Sequence, residues 1–170
     1  MVTSALSDIL EENPLLGFSI YTSTQVQALG RKAVELKEIA ASWGPDESGS
    51  LVIHDFTDYY DNFWFWVLGA FEVIRTLDQH SDCFREKKME ELREIKRELK
   101  RVRIPFAKQE LANNGRPIFA ELSVIGFDKG MKFEISGSVV DSGDLVEATM
   151  GFLESFKPTD VLKRIPERSN

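Results

Sequence analysis

The sequence predicts a mainly α (α+β) fold: a bundle of three to four helices, with a β-hairpin in the C-terminal half followed by a final helix. Three observations predict it. Apolar residues recur at alternating spacings of three and four in separate segments between residues 26 and 102. One of these segments, from about Phe56 to His80, is apolar on most of its circumference. Beyond residue 115 the period changes, and β-branched and aromatic runs flank Phe127-Asp128-Lys129-Gly130.

Ser4 or Ser7 caps a short first helix through Leu10, stopped by Pro14. Leu15 to Tyr21 reads as extended chain or loop. Ser23 or Thr24 caps the next helix, whose buried stripe is Val26, Leu29, Ala33, Leu36, Ala40 and Trp43. Gly44-Pro45 ends it, and Pro45 to Ser50 is a polar loop.

The central helix carries the stripe Phe56, Tyr60, Phe63, Val67, Ala70, Ile74 and Leu77. Tyr59, Trp66, Val73 and His80 make a second stripe, and Trp64, Leu68 and Phe71 a third. A helix apolar on so many sides is buried on most of them, so its first four turns read as core. Ser81-Asp82 breaks it. Cys83 to about Arg103 forms a charged helix with Phe84, Leu92, Ile95, Leu99 and Val102 inward, and Pro105 ends or kinks it. Residues 106–114 would add a turn or two before the Asn113-Asn114-Gly115 stop.

Arg116 to Ile125 and Met131 to Val140 then read as the two arms of the hairpin. Its apolar face must cover a helix, extend a sheet near Leu51 to Ile53, or pair with a second subunit. Asp141 or Ser142 caps the last helix, about Asp144 to Phe156, with Leu145, Ala148, Phe152 and Phe156 buried. Pro158 ends it, and the tail holds one short turn.

A chain of 170 residues fits one domain. Its expected parts are an N-terminal arm (1–22), a helical core (23–112), the hairpin (116–140), the last helix (142–157) and a tail (158–170). A single cysteine, Cys83, leaves no internal disulfide. The N-terminus lacks the basic and apolar regions of a signal peptide. The longest apolar run, Phe63 to Phe71, is too short to span a bilayer. A cytoplasmic protein with no membrane contact is the expectation.

Composition narrows the chemistry. The net charge of -7 argues against wholesale nucleic-acid binding, though it leaves room for a local basic patch. With two histidines, no HExxH and no CxxC, no metal site is expected. Neither GxxxxGK[ST] nor GxGxxG is present, so no nucleotide cofactor is expected. Tyr59, Trp64 and Trp66 could line an aromatic ligand pocket, but core packing is the favoured account of them.

Two constellations remain. Arg75-Thr76-Leu77-Asp78-Gln79-His80 places an arginine four residues before a histidine. This string resembles the R-x(4-6)-H motif of HEPN domains, small helical domains that are often dimeric and include metal-independent ribonucleases of toxin and phage-defence systems. The resemblance implies that His80 moves a proton while Arg75 stabilises charge on a phosphate. Glu72, beside Arg75, would join them as a carboxylate of displaced pKa. On a continuous helix Arg75 and His80 lie about 140° apart. They converge only if His80 leaves the helix at Ser81 or a second subunit supplies a partner. The alternative is structural: Arg75 pairs with Glu72 or Asp78, and His80 closes an apolar stripe.

The second constellation lies on the Cys83 helix, which carries nine basic and five acidic side chains. Arg85, Arg93, Lys96, Arg97, Lys100 and Arg103 project within an arc of about 120°. Such a ridge would meet an acidic protein partner, an antiparallel copy of itself or an RNA backbone, or simply face solvent. The first expectation for function is therefore a non-enzymatic protein-interaction or regulatory module acting as a homodimer. The alternative is a HEPN-like ribonuclease using Arg75 and His80.

Overall fold

The computed structural model describes residues 8–108, 124–135 and 137–165. It is mainly helical, with a small antiparallel sheet in the C-terminal half followed by a final helix, as the sequence predicts. Four long α-helices are α1 (Ile20–Ala41), α2 (Phe56–Gln79), α3 (Glu86–Lys108) and α4 (Ser142–Glu154).

Each helix lies antiparallel to the next around a ring. The Trp66 indole donates to the Leu29 carbonyl at 3.2 Å, and Trp43 packs on Tyr59, which aligns α1 with α2. Lys96 meets Asp78 at 2.5 Å while Phe106 packs on Tyr60 and Phe63, which aligns α2 with α3. Lys88 reaches Ser155 at 2.6 Å while Arg101 reaches the Ser138 carbonyl at 3.4 Å, which sets α3 against α4. Gly30 lies beside Met150 and closes the ring between α4 and α1.

Strands β1 (Gly44–Pro45) and β2 (Leu51–Val52) form a short ladder after α1. Strands β3 (Val124–Phe127), β4 (Met131–Ile135) and β5 (Ser138–Asp141) form a separate sheet in sequential order. Met131, Phe133 and Ile135 alternate inward along β4 and are buried. Phe133 stacks on Phe63 and meets Phe106 edge-on, so the sheet covers one end of the helix ring. Leu51 and Val52 pair with Gly44 and Pro45 and do not extend this sheet.

Several boundaries differ from the sequence-based expectation. Leu15 to Tyr21 is not extended: Pro14–Gly17 is a 3-10 turn and α1 begins at Ile20. Its cap is Ser19, which accepts from the Thr22 amide, and neither Ser23 nor Thr24. Those two lie within the first turns, and the Thr24 hydroxyl bonds back to the Ile20 carbonyl at 2.9 Å. Trp43 lies just past the helix end. A 3-10 turn over Ser81–Cys83 separates α2 from α3, which begins at Glu86 and not at Cys83. Pro105 lies inside α3, which continues to Lys108. The run Met131 to Val140 is two strands, because Gly137 at φ 74° reverses the chain between Ile135 and Ser138. Asp141 caps α4, accepting from Gly143 and Asp144, and the helix starts at Ser142. Ala148 faces solvent, whereas Leu145, Phe152 and Phe156 are buried. The first hairpin arm before Val124 and the stop at Asn113-Asn114-Gly115 fall outside the described residues.

At the other end of the ring the C-terminal segment crosses the chain. A 3-10 turn over Pro158–Asp160 precedes it. The Arg85 amide donates to the Asp160 carbonyl at 3.0 Å, Leu162 donates to Cys83 at 2.8 Å, and Ile165 donates to Phe18 at 3.0 Å. Phe18, Phe84 and Phe156 pack together beneath it.

Candidate functional site

Arg75 and Glu72 come together as the helical spacing dictates. The Arg75 Nε donates to Glu72 Oε2 at 2.7 Å, and Arg103 approaches the same carboxylate at 4.0 Å while lying over the Phe71 ring. His80 ends α2 elsewhere. Its ring lies 6.0 Å from Phe18 and its carbonyl accepts from the Cys83 amide. The arginine is thus held by a carboxylate, and the histidine by an aromatic ring of the N-terminal segment.

The basic ridge on α3 is largely committed to neighbours. Lys96 pairs with Asp78, Arg97 with Glu94, and Arg85 donates to the Thr159 carbonyl. Arg93 and Lys100 are exposed and make no ion pair among the described residues. Two aromatics of the expected buried rows face outward, Phe56 at 41% and Trp64 at 36% exposed, and Phe65 beside Trp64 is 62% exposed. The Trp64 and Phe65 rings lie 4.9 Å apart. Trp66 and Tyr59 are fully buried, so the three rings do not line one pocket.

Among the described residues no cluster of three or more His, Cys, Asp and Glu side chains is arranged to hold a metal ion. No described helix is long and apolar enough to cross a membrane.

The feature the sequence did not single out is a groove of about 530 Å³ between α1 and α4. Antiparallel packing builds it. Gly30, Ala33, Lys37 and Ala40 recur at three and four along α1, and Gly143, Val146 and Met150 do so along α4, with Gly151 beside Met150. Leu36 and Tyr59 lie at its floor. Small residues keep the floor low. A Cβ on Gly151 would meet nothing within 4 Å, and one on Gly30 would meet only the Met150 methyl at 3.5 Å. Beside this opening, the expected core residues Ala33 and Ala40 are only half-buried.

The rim is charged and asymmetric. Lys37 stands on the α1 wall, and Glu147 and Glu154 stand on the α4 wall. At the end formed by the β3–β4 turn, Lys129 bridges Asp144 at 2.9 Å and Glu147 at 3.0 Å. These two carboxylates hold the Lys129 ammonium well above its usual pKa. Lys37 and Glu154 make no ion pair among the described residues.

Beneath this end lies a tight polar junction. The Tyr59 hydroxyl and Ser142 Oγ are 2.8 Å apart, and Ser142 Oγ also accepts from the Met131 amide at 2.8 Å. Burial pushes the Tyr59 phenol up to about 12. Burial likewise raises the Asp141 carboxyl, opposed by the amides of Gly143 and Asp144. Gly130 and Gly143 allow the approach: a Cβ on Gly130 would overlap the Tyr59 oxygen, and one on Gly143 would overlap the Lys129 carbonyl. Compared with protein families, curated proteins and solved structures, the chain matches none of them.

Proposed function

We propose that this protein is a non-enzymatic protein-interaction module whose working surface is the groove between α1 and α4. The observation that carries this reading is the groove itself: an apolar furrow of about 530 Å³ flanked by charged walls. Apolar surface left open beside a packed core costs free energy that a bound partner recovers. The half-burial of Ala33 and Ala40 supports this, because their stripe is wider than the surface that the chain's own helices cover. Arg75 and His80 lend the ribonuclease alternative no comparable support, since each is engaged by a different neighbour.

The test is a plug. Gly151→Trp places an indole where a Cβ meets open space, so it fills the groove without displacing the core. Proteins captured by the wild-type chain from a lysate of its own source should be lost with the plugged chain and kept with Phe65→Ala, which alters a different face. Equal capture by wild type and plug overturns the reading. Sedimentation checks the expected homodimer independently: twice the mass of the chain supports it.

A further inference from the structure

The shape and charge of the groove narrow its occupant, on the premise that the groove is an interaction surface. We propose that it receives an amphipathic α-helix of a partner protein, with an acidic side chain set against Lys37 and a basic side chain set against Glu154.

Shape argues for a helix. The α4 wall runs from Gly143 to Glu154, about 16 Å or three helical turns. The furrow is open along its outer side, between two antiparallel helical walls. A third helix packs onto such a pair by setting its ridge of side chains between them. A drug-sized molecule instead needs walls that cover most of its surface. Because Gly30, Ala33 and Gly151 are small, the large apolar side chains must come from the partner.

Charge argues for the flanks. Lys37 and Glu154 stand on opposite walls without an ion-pair partner among the described residues. Glu147 is already bridged by Lys129, which leaves Glu154 as the open acid on the α4 wall. A second copy is disfavoured by form, because one furrow laid on another leaves both unfilled.

The experiment uses two synthetic 16-residue peptides, stapled into helices and sharing one face of Leu, Met and Ala. The mixed peptide carries glutamates on one flank and lysines on the other. The basic peptide carries lysines on both. The wild-type chain should bind the mixed peptide at least fivefold more tightly, with amide shifts confined to α1 and α4. Lys37→Glu makes both walls acidic at an exposed position, and it should invert the preference. Equal affinities in both proteins, or shifts elsewhere, overturn the proposal. So does a dimer that Gly151→Trp dissociates, which makes the occupant a second copy. If the plug abolishes partner capture while neither peptide binds, the helix proposal fails and the interaction reading stands.

Discussion

Two glycine-bearing regions of this molecule lie next to each other and use glycine for opposite ends. At the junction of the β3–β4 turn with α4, Gly130 and Gly143 let backbone and hydroxyl groups approach closer than any side chain would allow. In the adjoining groove, a Cβ on Gly151 would meet nothing within 4 Å and one on Gly30 only a flexible methionine methyl. The first region is closed by contact and the second is left open by omission. Glycine adjacent to packed polar atoms is a structural requirement. Glycine facing empty space lowers helix stability without a compensating contact, and the binding role proposed above would account for it.

Substitutions test this contrast. Gly130→Ala should cost about 3 kcal/mol or more, because the new methyl meets the Tyr59 oxygen, Ser142 Oγ and the Gly143 nitrogen. Urea denaturation measures it, and a loss below about 1 kcal/mol would mean the junction yields easily. Tyr59→Phe should cost about 1–2 kcal/mol near neutral pH by removing the bond to Ser142.

The same tyrosine sets an alkaline limit. Its phenol ionises near 10 when unfolded and at about 12 when folded, so the folded state holds its proton to higher pH. Between those values the unfolded state binds fewer protons, and stability falls as pH rises. Below pH 10 this group contributes no slope. A melting series from pH 9 to 12 should show the decline in wild type and a flatter profile in Tyr59→Phe.

Gly151→Ala should act in the opposite direction, raising stability by about 1 kcal/mol, since it improves helix propensity and clashes with nothing. A destabilised Gly151→Ala chain would remove the contrast between the two regions. Smallest of all, Arg75→Ala should change stability by no more than about 0.5 kcal/mol, because its pair with Glu72 is exposed to water.

The helices were legible because burial imposes a period. Phe63, Val67, Ala70, Ile74 and Leu77 are all buried, and α2 ends within a residue of the expected limit. What periodicity could not convey was which apolar rows face a neighbour. Trp64 and Phe65 are as aromatic as Trp66, yet both are exposed while Trp66 is buried. Apolar neighbours also obscured the Ser19 cap, because Ile20 and Tyr21 looked like a strand although both are exposed on the first turn of α1. Gly137 was the available sign that the second hairpin arm turns back. As for the groove, its walls come from α1 and α4, at opposite ends of the sequence, and only their small residues at helical spacing hinted at it.

The crossing segment near the C-terminus has a consequence for how the fold is completed. Phe18 and Cys83 receive backbone hydrogen bonds from Ile165 and Leu162. A chain made from its N-terminus forward produces α1, α2 and α3 well before those donors exist. Until they arrive, Phe18, Phe84 and Phe156 lack their cover, and the loop to be closed spans almost the whole chain. Closure at this end is then a late step of folding, slowed by the sequence distance it must bridge.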